Sequence, residues 1–363
     1  MWSELSGAQT PAAPVAGFRD GAKHYRDGAG REDYLRHEDG DAAAIADNIL
    51  LYQRTNGGWP SNWDPQRVLD EQEVADIAVD RIKTDTTFDN RATYPQIEFL
   101  AATFAQTGQV LYRDAAIRGI EFMLGAQHPR GGFPHSYPSR DNYRPYITFM
   151  DDVTAGALTM LRKVAADDPV YAFVGDEMRG RIREAVKRGV ECVLRLQQPW
   201  NGKPAVWAGQ YDPNTLDPVA ARKFEQPGFV CAESVGVVRF LMDIEQPAPE
   251  IIAAIEGACA WFEAATIHGL RIDVVPIDPV RFDNHTATRD VRAVADPAAP
   301  PVWARFYEFD TNRPFMANRD GIKVYSLEEV SLERRSGYNW YGTYPARLLA
   351  EDLPAWGARV MAR

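Results

Sequence analysis

Two acid-bearing turns offer the first candidate chemistry: Asp89-Asn90 in TTFDNRATY (86–94) and Asp151-Asp152 in YITFMDDVTAG (146–156). Side-chain oxygens converging from two such turns suit a hard cation such as calcium, which takes oxygen ligands at roughly 2.3–2.6 Å. The same residue types cap helix N-termini, and both turns precede helical apolar runs, so spacing alone leaves the two readings open. A basic set follows. Arg222 and Lys223 lie in DPVAARKFEQPG, and the last sixty residues add Arg305, Arg313, Arg319, Lys323, Arg334 and Arg335. A guanidinium matches a carboxylate with two parallel N–H donors, so a cluster of them reads acidic sugars well. Taken singly, each is an ordinary surface cation.

Aromatic residues form a third set: Trp59, Trp63, Phe133, Tyr137, Tyr143, Trp200, Trp207, Tyr211, Trp340 and Tyr341. They sit mostly in loops, where a sugar ring can stack or where the loop packs on the core. The six histidines have no HExxH spacing, and there is neither a Gly-rich phosphate loop nor a GxSxG elbow. Zinc hydrolase, nucleotide and serine hydrolase chemistries therefore lack support.

A weak repeat must position these groups. DNILLYQRTNGGWP, GIEFMLGAQHPRGGFP and GVECVLRLQQPWNGKPA place Gln53, Gln127 and Gln197 about 70 residues apart, and ACAWFEAATIHGLRI reads as a fainter fourth copy ending at Ile272. Each copy is a helical apolar pattern stopped by Gly, Pro and aromatics. Further helical runs at Tyr94–Gln106, Val153–Ala166 and Glu233–Ile244 give two helices per repeat. The expected fold is mainly α: an α/α barrel or toroid of repeated helical hairpins, with long loops at 56–83, 199–227 and 273–318 and a few short strands, IKVYS among them.

The chain has 363 residues, 45% of them apolar, and a net charge of −11. No apolar run approaches the roughly 20 residues of a membrane helix. The charge argues against nucleic acid as a partner. Cys192, Cys231 and Cys259 lack metal-ligand spacing and read as small buried apolar residues. Residues 1–39 read as an N-terminal extension or linker, with the start resembling a leader remnant, and 40–363 as one domain. A monomer is expected.

Several blocks resemble the family 10 polysaccharide lyases, the pectate lyases: LLYQRTNGGWPSNWD, TTFDNRATYPQIEFLA, GGFPHSYP, YITFMDD, VWAGQYDPNTLDPVAARKFE and the WARFYE…NRPF…RDG…ERRSGYNWYG tail. The resemblance implies an α/α toroid, a secreted or periplasmic location, and calcium-assisted β-elimination of 1,4-linked galacturonan. It gives Asp89 and Asp151 as metal and substrate ligands, with Asn90 beside the first and Asp151 counted with the catalytic residues. Arg222 matches the arginine that removes the C5 proton. Lys223, Arg305, Arg313, Trp207 and Tyr341 are expected to bind substrate.

Four positions depart from the family pattern. Met150 replaces an asparagine, His135 a glutamine, and VWAGQYD has Ala208 and Tyr211 for a cysteine and a histidine. Residues 150 and 211 are expected beside the substrate. Rival readings are a glycoside hydrolase using Asp89 and Asp151, a uronan-binding protein without activity, and a lyase for another uronate polymer.

Overall fold

The computed structural model describes residues 14–29, 33–139, 141–283 and 285–361. Residues 1–13, which carry most of the supposed leader remnant, lie outside the described residues. The chain forms two compact units, Met1–Ala126 with Met160–Arg183, and Gln127–Thr159 with Glu184–Arg363.

The first unit contains helices α1 (Arg19–Ala29), α2 (Ala42–Tyr52), α3 (Glu71–Val79), α4 (Tyr94–Thr107) and α5 (Val110–Ala126). Phe18, just ahead of α1, is buried against Phe99 of α4, so part of the stretch read as an extension contributes to the core. Helix α4 ends on Gly108, whose left-handed φ of 69° lets its N–H reach Phe104 O at 2.8 Å. It then packs on α5 as a hairpin, and the two helices bury Ile97, Leu100, Ala101, Ala116, Ile120 and Met123. Helix α6 (Val153–Ala165) leads from the second unit into the first, and α7 (Asp176–Leu196) leads back. The second unit adds the hairpin α8 (Cys231–Met242) and α9 (Pro249–Ala264), then α10 (Leu332–Gly337) and α11 (Leu353–Met361).

The recurring glutamine has a structural cause. Gln53 Nε2 donates to Gly57 O and Ala115 O, each at 2.9 Å. Gln127 does the same to Gly131 O and Ala185 O, both at 2.8 Å, and Gln197 to Ala205 O at 2.7 Å and Ala254 O at 2.9 Å. One amide thus satisfies a carbonyl of the loop it opens and a carbonyl of the corresponding helix in the next repeat (α5, α7 or α9), where burial forbids an unpaired acceptor. Gly57 (φ 97°) and Gly131 (φ 101°) close the first two loops. A Cβ there would lie 2.4 Å from Arg118 O and 1.9 Å from Arg188 O.

The aromatic residue after each loop completes the repeat. The indole N–H groups of Trp59, Trp207 and Trp303 donate to Ile49 O, Val193 O and Phe262 O at 2.7–2.8 Å. In the fourth copy Ile267 and Val302 exchange backbone hydrogen bonds, as Arg54 and Gly58 begin to do in the first. Thr266 therefore stands where the glutamines stand, and the copy resumes at Val302 instead of running on to Ile272.

Between those two points the expected loop is largely a long antiparallel ribbon, Leu270–Arg281 paired with Thr286–Ala295. Its alternating Arg271, Asp273 and Ile272, Val274 carry a period of two that length alone obscures. The loop from 56 to 83 likewise contains α3, started by a capping box between Asp70 and Glu73. IKVYS does form a short strand, Lys323–Val324, paired with Met316–Ala317.

Candidate active site

The two acid turns are short 3-10 segments, Asp89–Arg91 and Met150–Asp152. Hydroxyl groups fix their register. Thr93 Oγ1 accepts from Trp59 N at 3.3 Å, Thr154 Oγ1 from Phe133 N at 3.1 Å, and Ser234 Oγ from Trp207 N at 3.2 Å. FDNRAT, FMDDVT and FVCAES are thus equivalent, which pairs Asp151 with Asn90 and Met150 with Asp89. Asp89 and Asp151 therefore do not hold matching places in successive repeats but are offset by one residue. Asn90 (φ 50°) and Asp151 (φ 53°) share the left-handed conformation that Asn and Asp tolerate best. The N-cap of α4 is Thr93, so helix capping does not account for Asp89.

Each unit holds its own part of the expected set. In the first, Asn90 Nδ2 donates to Asn62 Oδ1 at 2.7 Å and lies 3.4 Å from Asp89 Oδ2. In the second, separate segments bring Asp151, Arg222 and Arg305 together. Arg305 Nη2 stands 3.6 Å from Asp151 Oδ1 and pairs with buried Glu233, and its guanidinium lies 4.4 Å from the centre of the Tyr338 ring. Tyr338 Oη donates to Glu225 Oε1 at 3.0 Å. Glu225 in turn holds Arg222 through Nε at 2.8 Å and Nη2 at 2.5 Å.

The charges of this cluster are coupled. Burial alone would favour neutral Arg222, but Glu225, with Asp151 behind it, more than reverses this and holds its pKa well above the ordinary value. Burial pushes Glu225 up, yet Arg222 holds it below the usual carboxylate value. Glu233 is raised, because burial outweighs the pull of Arg305. Burial would lower Arg305, and Glu233 with Asp151 raises it.

The remaining expected residues divide. Lys223 follows Arg222 and is exposed, its carbonyl accepting from Gln226 Nε2 at 2.6 Å. Tyr341 pairs with Ala304, next to Arg305. Arg313 is exposed and lies over the Tyr325 ring at 3.6 Å. Trp207 is fully buried with its indole N–H satisfied, so it packs the core instead of meeting a ligand. Met150 lies in the apolar cluster of Phe224, Phe306 and Trp340. Tyr211 is buried too, its hydroxyl accepting from Ala208 N and donating to Leu196 O. Both departures expected beside the substrate are therefore core residues. His135 is half-buried, with Nδ1 2.8 Å from Ser136 Oγ.

Glu225, Glu233 and Tyr338 escaped the sequence reading. Glu225 was legible as the acid three residues after Arg222. Glu233 was legible as the one acid in the apolar helix CAESVGVVRFLM.

Residues 53–349 match the profile of a family described as pectic acid lyase. The chain belongs to that family. Two solved structures of a family 10 polysaccharide lyase from Cellvibrio cellulosa are similar to this lyase. One superposes with a TM-score of 0.73 at 28% identity, covering 96% of this chain and 99% of the other. The second, a mutant in complex with trigalaturonic acid, gives 0.72 at 28% identity, covering 95% and 99%. No curated protein matches the sequence significantly. The helical-hairpin fold class expected from the repeats is borne out by this likeness. Among the described residues no helix is long and apolar enough to cross a membrane.

Proposed function

We propose that this lyase cleaves 1,4-linked galacturonan by β-elimination, with Arg222, Asp151 and Arg305 as the reacting group's immediate neighbours. The observation that supports the reading is their convergence, from three separate segments, on one charged cluster in the second unit. The C5 proton of a uronate is acidified by the adjacent carboxylate. Its removal forms the C4=C5 bond as the C4–O4 bond breaks, and the departing oxygen takes a proton. Arg305, rigid between Glu233 and Tyr338, presents charge to the uronate carboxylate. Arg222 has Nε and Nη2 engaged by Glu225, so Nη1 is the nitrogen assigned to the C5 proton.

A guanidinium paired with a carboxylate is a poor base at neutral pH, and turnover is expected to rise into the alkaline range. Lys223, Arg313 and Tyr341 are assigned to more distant sugar units. Asp89 and Asn90 keep the substrate-binding role that the resemblance gives them.

Calcium is the metal that the donor chemistry suits. Asp151 and Asp89 offer hard carboxylate oxygens, and the residues carry no thiolate or imidazole pattern that would favour a softer ion. Among the described residues no three His, Cys, Asp or Glu side chains gather into a ready-made shell, so the uronate carboxylate is expected to supply further ligands. Bound calcium would neutralise that carboxylate and make the C5 proton easier to lose. Polygalacturonate is the proposed partner, met outside the cytoplasm as a secreted or periplasmic enzyme. The test is product analysis: β-elimination yields a 4,5-unsaturated, ultraviolet-absorbing end, whereas hydrolysis or simple binding yields none.

A further inference from the structure

One side chain touches both halves of the arginine cluster. Tyr338 lies just after α10, in a stretch tied to Arg305 through the backbone: Arg305 N donates to Trp340 O at 2.7 Å, and Tyr341 pairs with Ala304. Arg222 sits in a turn of its own, closed by Glu225 N donating to Arg222 O at 2.7 Å.

Among the described residues, four hydrogen bonds reach the Glu225 carboxylate. Three come from Arg222: its backbone N and Nε donate to Oε2, and Nη2 donates to Oε1. These are local and travel with the turn. The fourth is the Tyr338 hydroxyl, which donates to Oε1 at 3.0 Å from 113 residues away and anchors the turn to the tail. The ring has a separate contact. The Arg305 guanidinium lies 4.4 Å from its centre, a cation–π distance. Phe224, Phe306 and Trp340 pack round the ring with centroids at 5.3, 6.4 and 4.8 Å, which fixes its plane. A phenylalanine would fill the same apolar space, so packing does not call for the hydroxyl.

We propose that Tyr338 is a positioning residue that sets Arg222 against Arg305, its hydroxyl holding Arg222 through Glu225 while its ring supports the Arg305 guanidinium. The base and the carboxylate-binding group come from different segments. Their separation must match that between C5 and the carboxylate of one uronate, and Tyr338 spans it. The inference deepens the reading of Arg222 as base and Arg305 as carboxylate-binding group, and rests on it.

The test separates the two ends of the side chain by steady-state kinetics on polygalacturonate, with trigalacturonate affinity and the thermal midpoint measured alongside. Tyr338→Phe keeps the ring and removes the hydroxyl. With Glu225 released, kcat should fall on the order of ten- to a hundredfold, the scale of a small misplacement of a reacting group. KM and affinity should stay within about twofold of the parent, because Arg305 keeps its ring. Tyr338→Met removes the ring as well and should raise KM roughly fivefold through Arg305. A packing role alone would lower the thermal midpoint and leave the kinetics of the folded enzyme parental. Parental kcat in Tyr338→Phe overturns the proposal, and so does a KM in Tyr338→Met no higher than in Tyr338→Phe. Tyr338→Leu replaces Tyr338→Met if that variant does not fold. A parent that forms no unsaturated product would sink the lyase reading and this inference with it, whereas parental kcat in Tyr338→Phe leaves the lyase reading standing.

Discussion

Glu225 grips Arg222 with two parallel contacts, Nε at 2.8 Å and Nη2 at 2.5 Å, and leaves Nη1 outside the grip. Such a pair orients a guanidinium and at the same time stabilises its charged form. The two effects oppose each other in a catalytic base, and they can be separated.

Replacing Glu225 by Gln removes the charge that raises Arg222. A lower Arg222 pKa means more neutral base at any given pH, so the alkaline limb of kcat/KM should move down by on the order of one pH unit. The maximal rate should fall as well, because orientation is weakened. A pH–rate profile of the variant decides the point; a limb that stays in place would remove Arg222 from the titrating role.

Asp151→Asn should cut kcat/KM on the order of a hundredfold, the scale expected for losing one electrostatic stabiliser at a reacting centre. The calcium concentration for half-maximal activity should rise in the same variant. Asp89→Asn should show the second effect if its assigned ligand role holds. Activity titrated against calcium and then against chelator measures both.

Trp207→Ala should act on stability. Its ring is fully buried and its N–H satisfies Val193 O, so truncation should cost about 3–5 kcal/mol in denaturant unfolding. KM of the protein that remains folded should not change. Gln127→Ala should cost about 1–3 kcal/mol for each buried carbonyl it leaves unpaired.

Acid should weaken the ion pairs that Glu333 makes in the tail. Burial pushes this carboxyl up, but hydrogen bonds from Arg334 and Arg319 hold it at about 2, below its ordinary 4.5. A depressed pKa contributes stability that is fully present above the ordinary value and is lost as pH falls from there towards 2. Melting curves of the parent should therefore drop over that window, and those of Glu333→Gln should drop less.

The sequence displayed the helical hairpins well, because buried helix faces and loop-closing glutamines recur wherever the same packing recurs. It left the register of Asp89 against Asp151 open, since the Asp-Asn and Asp-Asp turns look alike until Thr93 and Thr154 show that Asp151 answers to Asn90. The ribbon from Leu270 to Ala295 was hidden by its position inside a loop of one repeat, where nothing in the other copies signals it. Arg222 and Arg305 stood out in the basic set and took their roles from the family resemblance, yet their partners Glu225, Glu233 and Tyr338 were not found. Glu225 lies only three residues from Arg222 and was within local reach, but Tyr338 meets Glu225 across 113 residues and Arg305 meets Glu233 across 72, where no local pattern encodes a contact. Trp207 shows the reverse error: an aromatic residue in a loop can stack on a sugar or seal a core, and only burial tells which.

The most direct measurement follows ultraviolet absorbance during incubation of the parent and of Arg222→Ala with calcium-loaded polygalacturonate, alongside trigalacturonate affinity for both. The expected result is unsaturated product from the parent, at least a thousandfold less from the variant, and affinities within a few-fold of each other. Chain shortening by the parent without absorbance, or parental turnover by Arg222→Ala, would contradict the account.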